Sequence, residues 1–375
     1  MTTKGIAIHY NEIALKGKNR PKFEKMLYYN IERATQKKPE RYNGRLILKD
    51  ATDSDKKAVL LTPGVAWAGD ALIIPRDINL LKKAVRKIGV GKQVEYDVKR
   101  VDKKFEKTSL DLKSLLQRDA GLEPKKGGFK MRIDIMTDSF IISYNIKKGL
   151  GGLPIGSAGK ALSLFSGGID SSIAPIEIMK RGCKVDLLHI YAFPNDSSVM
   201  ESKIGEIARL LSKFHDCRLY IAPFYVFATA VNDIDPRYEL VLFKRFLLKL
   251  AEAVAIKYGY KALVTGDSLS QVASQTLDNI NAISFGIDIP VFRPLIAYNK
   301  DEIIDKSKTY NTYLSSIKEY KDCCSLTSKH PSTSATQEKI KDLERQINIE
   351  KVIEATLKDM KIIEIKPLDL LNMNK

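Results

Sequence analysis

Cysteine is scarce in this chain of 375 residues. The only cysteines are Cys183, Cys217, Cys323 and Cys324. Their small number and wide scatter exclude a disulfide-stapled scaffold, and the lack of any Cys-x-x-Cys spacing argues against a zinc ribbon. Cys183 and Cys217 fall at the starts of predicted strands, where we expect them to be packing residues. Cys323 and Cys324 fall in a predicted loop with lysines nearby, which favour the thiolate form, so this pair is the candidate for thiol chemistry.

Long apolar runs are also missing. No stretch approaches the roughly 18 residues that a membrane-spanning helix needs. The N-terminal segment carries Lys4, Glu12, Lys16 and Lys18 instead of the apolar core of a signal peptide. We therefore expect a cytoplasmic protein with no membrane partner.

Acidic residues are few in the first part of the chain. Residues 1–150 contain 33 Lys and Arg against 18 Asp and Glu, whereas residues 151–375 contain 29 against 27. A basic segment joined to a near-neutral one favours a polyanionic partner, most often nucleic acid. There are two alternatives. In the first, the cations are simply spread over solvated helix faces. In the second, they bind a membrane surface, which the lack of an apolar amphipathic anchor disfavours.

One short motif carries most of the functional information. Residues 166–171 read Ser-Gly-Gly-Ile-Asp-Ser and directly follow the apolar run 161–165. This pattern predicts a strand, a tight loop and a helix N-terminus, which direct backbone N–H groups and the positive end of the helix dipole at one point. The residues assigned to the site are Ser166, Gly167, Gly168, Asp170 and Ser171. The glycines admit a bulky anion, the hydroxyls donate to it, and a carboxylate facing phosphate implies an intervening Mg²⁺.

The alternative for this motif is a plain glycine turn in which Asp170 and Ser171 cap a helix. The complete motif behind an apolar strand favours phosphate binding. It resembles the loop of the PP-loop ATP pyrophosphatases, which cleave ATP to AMP and pyrophosphate. It is not a Walker A loop, because no Gly-Lys-Ser/Thr follows it at the required spacing.

Strand and helix patterns divide the chain into segments. A β-α-β-β pattern over residues 1–75 predicts a ferredoxin-like module, and residues 76–150 read as a second α+β unit. The glycine-rich segment 151–159 is a linker. Alternating strands and helices over residues 160–345 predict an α/β domain with a doubly wound parallel sheet, which binds ligands at the carboxyl ends of its strands. Residues 346–375 read as a helical tail.

Further candidates follow the predicted strands of this domain. The strand 262–265 precedes a run of amides and hydroxyls, which we interpret as the lining of a cleft. Lys244 and Arg245 interrupt an otherwise apolar helix, either as snorkelling cations or as phosphate clamps. His189 ends another strand, where a core histidine is the simpler interpretation.

Four stretches together resemble one family. Residues 11–20, 152–156, 262–279 and 293–296 read NEIALKGKNR, GLPIG, ALVTGDSLSQVASQTLDN and RPLI. By these motifs the chain resembles the tRNA uracil 4-sulfurtransferases, also called 4-thiouridine synthetases. The resemblance implies a ferredoxin-like domain, a THUMP RNA-binding domain and a PP-loop ATP pyrophosphatase domain, with tRNA as partner and ATP and Mg²⁺ as cofactors.

The resemblance also implies roles for individual residues. The residues implied to contact ATP are Leu164, Phe165, His189, Ile190, Lys244, Gly266 and Gln275. Asp170 would serve adenylation, Lys300 would assist, and Cys324 would handle sulfur. The C4 oxygen of a uridine, expected at position 8 of tRNA, would attack the α-phosphate of ATP. Pyrophosphate would leave, and sulfur would then displace AMP.

The sulfur donor is a separate question. Many bacterial members of the family carry a persulfide cysteine on a C-terminal rhodanese domain, and the roughly 30 residues after the matched region are too few for one. We therefore expect sulfide or an external persulfide donor, with a homodimer as one candidate assembly. Two other functions stay open, namely a PP-loop enzyme that modifies another tRNA base and a tRNA-binding module with a vestigial ATPase.

Overall fold

The computed structural model describes residues 2–42, 44–192, 197–320, 323 and 331–366. The chain divides into two compact units, Met1–Pro154 and Ile155–Lys375. The fold class expected from the sequence is confirmed, because a mostly parallel α/β sheet follows an α+β unit.

The first unit is built on a seven-stranded sheet with the order β2-β3-β1-β4-β7-β6-β5. Its strands are β1 (Thr3–His9), β2 (Glu40–Tyr42), β3 (Arg45–Lys49), β4 (Trp67–Pro75), β5 (Val94–Arg100), β6 (Phe129–Ile135) and β7 (Ser139–Lys148). Its helices are α1 (Arg20–Thr35), α2 (Asp53–Leu60), α3 (Ile78–Gly89) and α4 (Ser109–Asp119), and a 3₁₀ segment spans Glu12–Asn19. Neighbouring strands are antiparallel except β5 and β6.

The predicted boundary at residue 75 coincides with the end of β4. This strand pairs with β1 on one side and with β7 on the other, so the two predicted modules share one sheet. Each module has its own main hydrophobic core, one with Ile8 and Leu27 and the other with Leu81 and Phe140. A third, smaller core joins the two modules through Ile47 and Ile141.

A buried ion pair shows that this sheet curls strongly. In the strand order, β3 and β6 are separated by three strands, which would place them roughly 19 Å apart in a flat sheet. Arg45 on β3 nevertheless donates to both carboxylate oxygens of Asp134 on β6, at 2.6 and 2.5 Å. Both side chains are almost fully buried. The sheet therefore bends until its two halves meet through this pair.

The second unit contains a six-stranded sheet with the order β12-β11-β8-β9-β10-β13. Its strands are β8 (Lys160–Leu164), β9 (Lys184–Tyr191), β10 (Cys217–Pro223), β11 (Leu263–Val264), β12 (Val291–Phe292) and β13 (Lys361–Ile365). Its helices up to β12 are α5 (Ile169–Met179), α6 (Ser197–Glu201), α7 (Lys203–Ser212), α8 (Tyr225–Ala230), α9 (Pro236–Tyr258) and α10 (Leu277–Ser284), with a 3₁₀ turn at Ala273–Gln275. The later helices are α11 (Lys300–Thr309), α12 (Tyr313–Ser316), α13 (Gln337–Ile347) and α14 (Ile349–Asp359).

The order of these strands creates a switch point. From β8 the chain adds β9 and β10 on one side and later adds β11 and β12 on the other. All of these pairs are parallel. The carboxyl ends of β8 and β11 therefore border the crevice in which doubly wound sheets bind ligands.

Some predicted elements of this unit need correction. The sequence pattern predicts one helix over 199–214, but the structure has two, because the hydroxyl of Ser202 caps the start of α7. The pattern likewise predicts one amphipathic helix over 335–360, but the structure has two, and Asn348 with a φ of +51° lies between them. The expectation of a purely helical tail over 346–375 is wrong, because β13 pairs antiparallel with β10.

Candidate active site

The phosphate loop joins β8 to α5. β8 ends at Leu164, and α5 begins at Ile169 with Gly168 as an N-cap that supplies no side-chain hydrogen bond. The sequence pattern predicts a helical stretch from Ser172, but α5 starts three residues earlier, so Asp170 and Ser171 lie in its first turn. Backbone N–H groups in this turn have no partner inside the helix, and they face the space before α5 together with the helix dipole.

Gly167 and two serines shape the loop. Gly167 has a φ of +77°, and a Cβ there would lie 2.4 Å from the side chain of Ile204, so the loop requires glycine. Ser166 Oγ lies 3.1 Å from Ser171 Oγ and accepts a hydrogen bond from the N–H of Gly168 at 3.3 Å. The loop is thus braced by its own hydroxyls.

Asp170 is paired with a lysine from a distant helix. α11 begins at Lys300 and is capped by Asn299, whose side chain accepts from the N–H of Glu302. Lys300 Nζ donates to both carboxylate oxygens of Asp170, at 2.8 and 3.0 Å. The side chains of Lys300 and Asp170 are 43% and 24% exposed, so a ligand can reach both. The sequence predicted each residue but not the ion pair.

A cavity of about 200 Å³ opens beside this loop. The predicted residues that line it are Leu164, Phe165, Ser166, Asp170, Ser171, His189, Ile190, Lys244, Gly266 and Gln275. Gly167 and Gly168 belong to the loop itself, and Lys300 contacts the cavity wall through Asp170. Cys324 lies outside the described residues.

Gly266 allows the segment after β11 to approach α5. A Cβ at Gly266 would lie 2.8 Å from the backbone nitrogen of Ser171 and 2.9 Å from the carbonyl carbon of Asp170. Any larger residue would push the first turn of α5 away. The polar run after β11 lines the cavity, as the sequence predicted, through Thr265 and Ser274 among others.

Lys244 and Arg245 are neighbours on α9 with different surroundings. Lys244 lines the cavity, and its Nζ lies 3.6 Å from Asp267 Oδ1. Arg245 is buried, donating to Glu344 at 2.7 Å and to the carbonyl oxygen of Ile283 at 3.0 Å. It therefore ties α9 to α13 and α10. Of the two alternatives left open by the sequence, a phosphate clamp suits Lys244 alone.

Asp267 and Arg293 are charged residues of the cavity that sequence reasoning did not assign to the site. Asp267 accepts a hydrogen bond from Thr265 Oγ1 at 2.7 Å and lies 3.3 Å from Arg293 Nε. Burial alone would raise the pKa of Asp267, but Lys244, Thr265 and Arg293 outweigh burial and hold the pKa below its ordinary value. The signal that could have found Asp267 is its position just after a strand that ends at the switch point.

His189 is a buried, neutral member of the cavity wall. Burial, assisted by the nearby charge of Lys203, lowers the pKa of His189 to about 4. Its Nδ1 lies 2.8 Å from the carbonyl oxygen of Phe165, and its Nε2 lies 2.8 Å from the hydroxyl of Tyr320. Because a carbonyl oxygen only accepts, Nδ1 carries the hydrogen and Nε2 accepts from Tyr320. His189 thus supports the backbone just before the phosphate loop.

The described cysteines have distinct environments. Cys323 is 2% exposed, lines the cavity and lies with its Sγ 3.4 Å from the carbonyl oxygen of Ile190. Cys217 is buried at the start of β10. Burial raises the pKa of Cys183, which disfavours its thiolate. Cys323 is therefore the described thiol that lies beside the cavity.

The comparisons with known proteins agree with this geometry. The family model described as thiamine biosynthesis protein (ThiI) matches residues 156–349, and the ThiI ferredoxin-like domain matches residues 5–61. The chain belongs to the ThiI family. The family match over 156–349 contains the phosphate loop, Lys244 and Lys300, so the resemblance read from the sequence motifs is confirmed.

Relatives in the ThiI family match nearly the whole chain. The probable tRNA sulfurtransferase of Moorella thermoacetica is 32% identical over 381 residues, covering 96% of this chain and 98% of the relative. That of Thermus thermophilus is 33% identical over 373 residues, covering 94% and 92%. A crystal structure of a 4-thiouridine synthetase–RNA complex with bound ATP matches with a TM-score of 0.84 and 29% identity, over 97% of this chain and 100% of that one.

The described residues contain neither a ready-made metal cluster nor a membrane-spanning helix. No group of three or more His, Cys, Asp or Glu side chains in the described ranges could hold a metal ion by itself. No described helix combines the length and apolar character that crossing a membrane requires.

Proposed function

We propose that this ThiI-family chain is a tRNA uracil 4-sulfurtransferase, which uses ATP to replace the C4 oxygen of a tRNA uridine, expected at position 8, with sulfur. The observation that carries the proposal is the Asp170–Lys300 ion pair at the first turn of α5, beside a cavity at the switch point of the sheet. Support comes from relatives named tRNA sulfurtransferases and from the matched structure with RNA and ATP.

The first half of the reaction is adenylation. The C4 oxygen of the uridine attacks the α-phosphate of ATP, and the bond to pyrophosphate breaks. Backbone N–H groups of the loop and the hydroxyls of Ser166 and Ser171 hold the phosphates. Lys300 and Lys244 offset the negative charge that develops during attack. Such fixed donors stabilise the transition state because they need no reorganisation when the charge appears.

Mg²⁺ fits the donors available at this site. Mg²⁺ in nucleotide enzymes is commonly held by one or two carboxylates together with phosphate oxygens. Asp170 is a partly exposed carboxylate in the first turn of α5, next to the space where the phosphates would lie. Asp170 would therefore hold the ion, while Lys300 orients the carboxylate. The bound ion would neutralise phosphate charge.

The second half of the reaction introduces sulfur. A sulfur nucleophile attacks C4, and AMP leaves with the former C4 oxygen on its phosphate. Cys324 is our candidate for handling this sulfur. Its neighbour Cys323 supports the assignment, because Cys323 lines the nucleotide cavity. The sulfur itself would come from sulfide or an external persulfide donor.

The first unit supplies the attraction for tRNA in this proposal. Its 33 Lys and Arg residues against 18 Asp and Glu give it a strong positive surplus. Electrostatic attraction to phosphates provides most of the sequence-independent affinity of proteins for nucleic acids. The catalytic unit, with nearly balanced charge, would then act on a substrate that the first unit retains.

The products of ATP cleavage test this function. Purified chain incubated with ATP, unmodified tRNA and sulfide should release AMP and pyrophosphate in equal amounts, and omission of tRNA should reduce this release strongly. Release of ADP and phosphate, or AMP formation that is indifferent to tRNA, would contradict the proposal.

A further inference from the structure

Asp267 lies at the switch point but outside the phosphate loop. Its side chain is 20% exposed and lines the cavity. The groups around its carboxylate are Thr265 Oγ1 at 2.7 Å, Arg293 Nε at 3.3 Å, Gln275 Nε2 at 3.4 Å and Lys244 Nζ at 3.6 Å. Two cations beside one carboxylate favour its ionised form. An ionised carboxylate can only accept hydrogen bonds.

This carboxylate decides which way the amide of Gln275 faces. A glutamine amide has a donor end and an acceptor end. Because Asp267 only accepts, the NH₂ group must face it, and the carbonyl Oε1 must face away. The amide is thereby fixed in one of its two orientations.

Gln275 Oε1 is a buried acceptor beside the cavity. Gln275 is 8% exposed and belongs to the cavity lining. Among the described residues, Oε1 has no hydrogen-bond partner. A buried acceptor without a partner is unfavourable until a ligand supplies a donor.

The carboxylate is held independently of the amide. Arg293 donates to Ser284 Oγ at 2.6 Å, which fixes its guanidinium near Asp267. Lys244 approaches from α9, and Thr265 donates from the end of β11. Asp267 therefore does not need Gln275 to keep its place, whereas Gln275 depends on Asp267 for its orientation.

We propose that Asp267 is a positioning residue that presents Gln275 Oε1 as an acceptor to the nucleotide, so that the cavity selects adenine nucleotides with an N–H or O–H donor at this point. The inference rests on the nucleotide binding proposed above. The donor is either the exocyclic amine of the base or a ribose hydroxyl. Both offer the same chemistry to Oε1, and their removal one at a time distinguishes them.

Calorimetric titration of the full chain with nucleoside monophosphates tests this proposal without tRNA or turnover. The probes are AMP, 2′-deoxy-AMP, 3′-deoxy-AMP and purine riboside monophosphate, which lacks the exocyclic amine. One of the three analogues should bind about 5- to 100-fold more weakly than AMP, because it leaves Oε1 unpaired. The analogue that binds weakly identifies the donor.

Variants then show whether Asp267 acts through Gln275. Asp267→Asn offers the amide either a donor or an acceptor, so the ratio between AMP and the weak analogue should shrink to about twofold or less. Gln275→Leu should remove the same discrimination by removing the acceptor. Gln271→Leu is the matched control, because Gln271 also has a buried Oε1 without a described partner but does not line the cavity. That variant should keep the full ratio.

Several outcomes would overturn the proposal. Equal binding of all four probes to the unmodified chain would do so, as would full discrimination in folded Asp267→Asn. If Asp267→Asn fails to fold, Gln275→Leu decides alone, since retained discrimination in it also contradicts the proposal. Binding without discrimination overturns this inference only, whereas a chain that binds neither AMP nor ATP would overturn the proposed function as well.

Discussion

The two units of this chain use charge in different ways. The first holds 33 Lys and Arg against 18 Asp and Glu, whereas the second holds 29 against 27. A buried pair in the first unit, Arg45–Asp134, joins two halves of a curled sheet. In the second unit, Asp170–Lys300 and Asp267–Lys244 border a cavity. In the proposed function, long-range attraction for a polyanion would thus belong to the first unit and local stabilisation of a phosphate to the second.

Removing the carboxylate of Asp170 should reduce activity more than any other substitution proposed for this chain. It should also separate ATP cleavage from tRNA binding. Asp170→Asn loses the ion pair with Lys300 and the proposed ligand for Mg²⁺. We expect tRNA-dependent pyrophosphate release to fall by about 10²- to 10³-fold or more, with tRNA affinity nearly unchanged. Enzyme-coupled pyrophosphate detection and filter binding measure the two quantities.

Asp305→Asn is the control for that variant, because Asp305 lies on α11 with a side chain that is 80% exposed. It should leave both quantities unchanged. Normal pyrophosphate release by Asp170→Asn would remove the phosphate loop from the mechanism. A comparable loss of tRNA affinity would show that tRNA binding and ATP cleavage are not separated between the two units.

Cysteine variants should distinguish a sulfur-handling cysteine from a structural one in the second unit. Cys324→Ser should still release pyrophosphate in a single turnover but form no thiolated tRNA, because the thiolate is the form that takes or releases sulfur. Cys217→Ser should mainly lower stability, since Cys217 is buried in β10. Single-turnover assays with ATP, tRNA and a small-molecule persulfide donor, whose outer sulfur a thiolate can accept by exchange, separate these effects. Undiminished thiolation by Cys324→Ser would leave the donor attacking the adenylate directly.

Salt should affect the two units unequally. The fragment 1–154 should bind tRNA alone. Its affinity for tRNA should fall by about tenfold or more when the salt concentration rises fourfold, because Lys and Arg side chains that contact phosphates release the counterions of the tRNA. The fragment 155–375 should bind more weakly and respond less. Fluorescence anisotropy with labelled tRNA measures both slopes. Tight, salt-sensitive tRNA binding by the second fragment alone would contradict the assignment of tRNA attraction to the first unit.

Mild acid should weaken both units by a smaller amount. Burial lowers the pKa of His9 to about 3 and that of His189 to about 4, from an ordinary 6.5. The folded chain therefore binds fewer protons than the unfolded chain between these values. The stability from each histidine is complete above pH 6.5 and is lost as the pH falls below it, by about 2 kcal/mol each at pH 5.

Denaturant unfolding at pH 7 and pH 5 checks this loss. His9→Phe keeps a ring stacked on Trp67, where the ring centroids are 4.3 Å apart, but it cannot titrate. This variant should reduce the acid sensitivity of the first unit and leave that of the second unchanged. Equal acid sensitivity of the first unit with and without His9 would contradict the assigned cause.

The sequence predicted the local features of the site well. The strand, the glycines and the helix start around 166–171 are adjacent along the chain, so their geometry follows from local rules. Lys300 and Gln275 were found through the family resemblance. The sequence did not reveal their contacts. The Asp170–Lys300 pair, for example, joins residues 130 positions apart, and a local sequence pattern gives no information about contacts at that separation.

Asp267 and the helix breaks show why the rest was missed. In the sequence, an aspartate after a strand cannot be told from an ordinary turn or cap residue. The ion pairs that distinguish Asp267 come from Lys244 on α9 and Arg293 after β12. The break at Asn348 has neither glycine nor proline to announce it. β13 depends on an open edge of β10, which only the assembled sheet provides.

Nucleoside analysis of tRNA treated with the purified chain shows whether the protein forms 4-thiouridine at the expense of ATP. Unmodified tRNA is incubated with ATP and sulfide, digested, and examined by liquid chromatography and mass spectrometry, with Asp170→Asn in parallel. We expect 4-thiouridine that requires ATP and is absent with Asp170→Asn. A different thiolated base, or 4-thiouridine that forms equally well without ATP, would contradict it.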